Sequence, residues 1–145
     1  MTHPAQPDID ALFAAYAEAW KTSAPEQLKP FWDSGAQPLY LAEEIEATLG
    51  DWEAVERYWA GNAGAHADVA LIFSNGVIRD LGHGLVIAAY HMDWRIAFRD
   101  KPAMAGDNRV AAVLRNTDAG WKLAAWIEAP LAAITYMRKL YESRA

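Results

Sequence analysis

The chain contains no cysteine. Disulfides, thiolate nucleophiles and cysteine-based zinc sites are therefore excluded, and a reducing, cytoplasmic location is expected. No run of Lys or Arg occurs, and 19 acidic against 13 basic residues give a formal net charge of −6. Nucleic-acid binding is disfavoured, because neutralising phosphates needs clustered cations. Apolar runs fall far short of the about 18 residues that span a bilayer, so no membrane partner is expected. The polar start Met1-Thr2-His3-Pro4-Ala5-Gln6-Pro7-Asp8 has neither a charged n-region nor an apolar h-region, and no secretory leader is expected. Only four histidines are present, and none are paired at HxH or HxxxH spacing, so no metal site is expected. The glycine-rich stretches 61–64 and 82–84 match neither GxGxxG nor a Walker loop, and no cofactor is expected.

What the chain has in abundance is aromatic area. Hydrophobic residues make up 53% and seven tryptophans occur in 145 residues, a rich content for one small domain. Such area lines pockets or subunit interfaces as often as it fills cores.

Residues 1–7, with two prolines and no apolar pattern, are expected to form a loose tail before a single domain over 8–145. Asp8 is the expected cap of a helix over 8–22, whose apolar stripe is Ile9, Leu12, Phe13, Tyr16 and Trp20. A short second helix over 25–32 carries Leu28, Phe31 and Trp32, with Pro30 limiting its last turn. Residues 38–41 read as a short strand. Asp51 caps a third helix with the stripe Trp52, Val55, Tyr58 and Trp59, which Gly61-Asn62-Ala63-Gly64 is expected to end. Strand patterns then cover 66–80 and 84–99 around a turn at Leu81-Gly82-His83-Gly84, with Asn75-Gly76 as a bulge or tight turn. A loop over 100–107 leads to a second hairpin, 108–117 and 121–129. Pro130 opens a final helix to residue 142, striped by Leu131, Ile134, Met137 and Leu140, with Arg138, Lys139 and Arg144 near its end. Helices first and a long antiparallel sheet second predict an α+β domain: a bent sheet wrapped by N-terminal helices into a cone with an apolar interior.

This order resembles the nuclear transport factor 2-like superfamily, with its cystatin-like cone, and the SnoaL-like branch in particular. The resemblance is carried by Phe31-Trp32-Asp33, by Gly50-Asp51-Trp52-Glu53-Ala54-Val55-Glu56-Arg57-Tyr58-Trp59 and by Gly120-Trp121-Lys122-Leu123. It implies a six-stranded bent sheet, a cone-shaped cavity and a homodimer, expected here through the sheet's convex face. It does not fix an activity, because the superfamily holds isomerases, epoxide hydrolases, cyclases, dehydratases and non-catalytic modules.

Four residues are candidates for chemistry. Tyr16 shares the inward stripe of the first helix and is similar to the tyrosine that ketosteroid isomerases place there. The isomerase's acids are mostly missing: the nearest are Glu43 and Glu44, and 111–114 is apolar. Asp93 and Arg95 lie two apart on a strand, hence on one face with His91. They resemble, in reversed order, the Arg–Asp pair of limonene-type epoxide hydrolases, in which an arginine keeps the carboxylate ionised to activate water. Glu128 sits where SnoaL-type cyclases place an acid on the last strand, and strand parity sets it beside Trp126. Each has a structural alternative: a core tyrosine, an outer-face ion pair, a carboxylate at the cone rim or paired with Arg115.

The expected ligand wall is Trp20, Trp32, Tyr40, Tyr58, Trp59, Trp94 and Trp126, and the expected partner is a small apolar organic molecule. The functional expectation is ligand binding in the cone, with acid/base catalysis of the hydrolase or isomerase type and a pure homodimerisation module as alternatives.

Overall fold

The computed structural model describes residues 1–143. Arg144, expected near the end of the last helix, lies outside the described residues. The first helix, α1 (Gln6–Ala19), begins two residues before Asp8, and Ala5, not Asp8, is its N-cap. Proline at the start fits an N-terminal turn, where the missing N–H costs nothing, and Asp8 lies within that first turn. Ala5 is buried and His3 Nε2 lies 2.9 Å from Asp80 Oδ1, so part of the expected tail packs on the domain. Ile9, Phe13 and Tyr16 form the buried face, with Trp20 closing it.

A one-turn helix, α2 (Pro25–Leu28), passes into a 3-10 turn over Lys29–Phe31, as Pro30 requires. The first strand, β1 (Leu39–Leu41), follows. In α3 (Trp52–Ala65), Asp51 caps the start by accepting from the Ala54 N–H at 2.8 Å, and Val55 and Trp59 are buried. This helix runs through the glycines expected to stop it. Its last carbonyls are taken by Arg99, whose backbone N–H donates to Ala65 and whose guanidinium donates to Gly64 and Ala63.

The remaining strands are β2 (His66–Gly82), β3 (Leu85–Phe98), β4 (Met104–Thr117) and β5 (Gly120–Glu128). They form one sheet in the order β1-β5-β4-β3-β2, with β1 parallel to β5 and every other pairing antiparallel. Five strands are present among the described residues, against the six that the resemblance implied. Two of the sheet's register slips decide which side chains face the cone. At Asn75-Gly76 the pairing slips between Ser74 and Val77, and a side chain on Gly76 would meet the Tyr90 ring at 2.4 Å. The slip exchanges the inward parity, from Val69 before it to Ile78 after it. In β5 a second slip lies between Leu123 and Ala125, so Leu123 faces inward together with Trp126.

β4 starts four residues earlier than its pattern predicts. Gly106 lies opposite Trp94, and a side chain there would stand 2.8 Å from the indole, so the loop expected over 100–107 becomes strand once the ring has a glycine to lie on. α1 packs on β2 inside the curve, where Phe13 stacks on Tyr90 and Trp126 with centroids 4.0 and 5.7 Å away.

The last helix is α4 (Ala133–Glu142), which starts three residues later than Pro130. The stripe Ile134, Met137 and Leu140 is exposed and no residue of α4 is buried. No helix among the described residues is long and apolar enough to cross a membrane.

Candidate functional site

One end of the cone is filled; the other holds a cavity of about 290 Å³ open on one side. The filled end is closed by Tyr16 and Trp59, both fully buried. The Trp32 indole donates to the Tyr16 hydroxyl at 3.1 Å, and burial pushes the Tyr16 phenol well above its ordinary range. The open end is walled by Trp20, Tyr40, Tyr58, Trp94 and Trp126, together with Val69, Leu71, Met92 and Ile96 from the sheet. Phe98 and Met104 stand where β3 ends and β4 begins.

The polar groups of this cavity are few. Glu128, at the end of β5, is the central one. Its Oε2 accepts from the Trp126 indole N–H at 2.9 Å; its Oε1 accepts from the Asn108 amide at 3.2 Å and the Glu43 backbone N–H at 3.1 Å. All three donors are neutral. Burial pushes the Glu128 carboxyl up to about 7; the indole and the Glu43 N–H pull it down, and the charges of Glu44 and Glu43 add to the rise. Glu44 accepts from the Tyr58 hydroxyl, whose phenol is also pushed up, first by burial and then by that carboxylate. His66, at the junction of α3 and β2, is held toward its neutral form by burial, and its Nδ1 has no partner among the described residues. Such a group could donate, accept or exchange a proton near neutral pH inside an apolar wall.

No family model matches the sequence, and a search of curated proteins gives no match. Solved structures do match. A nuclear transport factor 2-like superfamily protein from Salmonella enterica superimposes with a TM-score of 0.76 at 12% identity, covering 87% of this chain and 90% of that one. A suggested dehydratase of the NTF2-like family from Streptomyces avermitilis gives 0.72 at 18% identity, over 88% and 100%. A suggested aromatic ring hydroxylase from Novosphingobium aromaticivorans gives 0.75 at 16% identity, over 86% and 87%. The fold is nuclear transport factor 2-like.

Within that fold the expected site residues separate. Trp20, Tyr40, Tyr58, Trp94, Trp126 and Glu128 meet at the cavity. Trp32 and Trp59 do not: Trp59 is fully buried in the filled end, with Trp32 and Tyr40 ring centroids at 6.0 Å. Trp32 instead edges a shallow surface hollow with Lys29 and Lys122. Tyr16 lies behind the wall, its ring 5.3 Å from Trp126. Asp93 and Arg95 are on the other face of the sheet, exposed, because their neighbours Met92, Trp94 and Ile96 take the inner one. The water-activating pair expected of them is therefore not built. Arg115, the alternative partner for Glu128, bonds Asp33 instead at 2.9 Å.

On that outer face His91, Asp93 and Asp107 bring three ligand atoms within 4.8 Å of one another, a cross-strand grouping that spacing along one strand could not reveal. Sequence reasoning also missed Glu44, Asn62 and His66 in the wall and Asn108 behind Glu128.

Proposed function

We propose that the protein binds a small, mainly apolar organic molecule in the open end of the cone, with Glu128 as its polar anchor. One observation carries this reading: a carboxyl group held by three neutral donors stands in a mainly aromatic and aliphatic cavity. Enclosing a carboxyl without a cation is costly, and a folding core gains nothing from it. The test is quenching of the wall tryptophans by a panel of one- and two-ring compounds. Saturable binding to the native protein, lost in a folded Leu71→Trp variant that fills the cavity, is the expected result. Binding that survives the filling, or a panel that never saturates, overturns the reading.

A second reading is favoured by the position of the Glu128 carboxyl near neutrality: acid/base catalysis, with Glu128 giving or taking a proton at the bound molecule. Membership of the SnoaL-like branch belongs with this proposal, since its cyclases carry an acid at this place. Turnover that Glu128→Gln leaves intact would exclude it. The proposal includes a homodimer through the convex face, where Ile72 and Ile127 are exposed and Ile87 and Val113 half-buried, and a cytoplasmic location. Light scattering behind gel filtration reads the first and cell fractionation the second.

A further inference from the structure

We propose that the ligand of the cone is an organic cation, a one- or two-ring molecule whose quaternary or protonated nitrogen sits among the aromatic rings and faces Glu128 and Glu44. The proposal rests on the reading that this cavity binds a small molecule, and it names the class.

Three observations converge. The cavity wall contains two carboxyl groups and neither Lys nor Arg. Among the described residues no ion pair reaches either carboxyl: Glu128 is held by an indole, an amide and a backbone N–H, and Glu44 by the Tyr58 hydroxyl. His66, the one wall residue that can become cationic, is kept toward neutral by burial and so supplies little compensating charge. Above about pH 7 the wall thus carries negative charge that no ion pair within it neutralises, with Lys101 as the nearest ammonium at the rim.

The second observation is the wall itself. Trp20, Tyr40, Tyr58, Trp94, Phe98 and Trp126 surround that charge with aromatic rings. Ring faces are negative, so rings that turn their faces to the cavity attract an ammonium group. The third is at the rim, where one ammonium of the chain already uses a lining ring: Lys101 Nζ lies 4.4 Å from the Phe98 centroid. A hydrocarbon needs no carboxyl in its pocket, and a carboxylate or phosphate ligand would meet repulsion from two. An organic cation uses both the rings and the acids.

The volume bounds the size. About 290 Å³ is near the lower end of small-molecule sites and admits one or two rings with a short side chain.

The test compares three molecules of one shape: (2-phenylethyl)trimethylammonium, the neutral alcohol 2-methyl-4-phenylbutan-2-ol and the anion 2,2-dimethyl-4-phenylbutanoate. Their affinities are read by calorimetry and tryptophan quenching. The cation is expected to bind at least about tenfold more tightly than the alcohol at about pH 8, and the anion more weakly than either. Glu128→Gln should shrink the preference for the cation to about threefold or less, and Glu44→Gln should lower it partially without entering the Trp126 network.

The quaternary nitrogen does not titrate, so its pH dependence reports the protein. Facing Glu128 are Glu43 and Glu44 from the loop after β1, Tyr16 from α1, Tyr40 from β1 and Tyr58 from α3, with the neutral Asn108 from β4. The tyrosines stay protonated across the range, and His66 from the start of β2 is lowered from its ordinary value by burial and so tends to stay neutral. Cation affinity should therefore rise between about pH 6 and pH 8 as Glu128 ionises, while that of the alcohol does not. If the alcohol binds as tightly as the cation, the cation proposal fails and the cavity remains a small-molecule site. If none of the three binds while the protein is folded, the binding reading fails with it.

Discussion

The two faces of β3 put charge to opposite uses. Outward, His91 and Asp93 stand with their Nε2 and Oδ1 3.4 Å apart, and Asp107 from the next strand lies 3.9 Å from the same imidazole. Water and neighbouring charges share that load, so such pairs contribute little to stability and little is lost when one is changed. Inward, one residue along, Met92, Trp94 and Ile96 face a cavity whose main polar group is Glu128, surrounded by neutral donors and more negative charge. The residue types do not separate the two situations; the parity of the strand does. A carboxylate beside an arginine reads as chemistry in the sequence, yet the acid that faces the cavity is the one with no ion-pair partner.

The largest effect is expected where the inner face is packed solid. Trp59 is fully buried in the filled end. Trp59→Ala should destabilise the protein by about 3–5 kcal/mol in urea or guanidinium unfolding. A loss below about 1 kcal/mol would show that the filled end is not close-packed and that the contrast with the open end is false.

Glu128 comes next, through pH. Its carboxyl is raised to about 7 in the folded protein, first by burial. The native state therefore holds this proton more tightly than the unfolded chain does. The group favours folding fully at pH below the ordinary carboxylate range, and that contribution is lost as pH rises to about 7 and beyond. The loss amounts to no more than about 3 kcal/mol. Glu128→Gln carries no such loss, so its stability relative to the native protein should climb between about pH 5 and pH 8. A difference that stays constant with pH would show that the carboxyl is solvated like those outside.

Much of this architecture was legible because it is written in local periods. The stripe Ile9, Phe13, Tyr16 and Trp20, the Asp51 cap and the two hairpins follow from spacing and turn chemistry, and Asn75-Gly76, readable as a bulge or a tight turn, is the bulge. Parity put Trp126 and Glu128 on one face but did not say which face lines the cone, and the slip before Ala125 moved Leu123 to join them. The same rule could have placed Asp93 and Arg95 outside, since Met92, Trp94 and Ile96 are the apolar set of that strand. It could also have found Asn108, which keeps the parity of Val110, Ala112 and Leu114 as a buried polar residue on an apolar face. Glu44 and His66 left no such trace. One comes from a loop and the other from a helix-strand junction, and only tertiary folding brings them to one wall. Nor does any local pattern tell Trp59, which fills the core, from Trp94, which borders a void. The exposed stripe of α4 is apolar by sequence and unpacked in the structure.

A smaller change tests the wall without touching its acid. The Trp94 indole lies on Gly106, with no space for a methyl group between them. Gly106→Ala should therefore cost about 1–3 kcal/mol and move the ring into the cavity. Ligand affinity should fall together with stability, and the fluorescence of the wall should shift. If stability falls while affinity holds, Trp94 supports the strand but does not shape the site.

The smallest expected effect is on the outer face, and it is the sharpest test of the contrast. Asp93→Asn and Arg95→Gln alter exposed residues directed away from the cavity. Each should change stability by no more than about 0.5 kcal/mol and leave the affinity of any cone ligand unchanged. The comparison with Glu128→Gln is then between carboxyls that differ in surroundings and not in chemistry: Asp93 is bathed by solvent beside an imidazole, Glu128 enclosed by rings. A loss of ligand binding in either outer-face variant would mean that charge acts across the sheet, and the separation of its two faces would no longer explain where function resides.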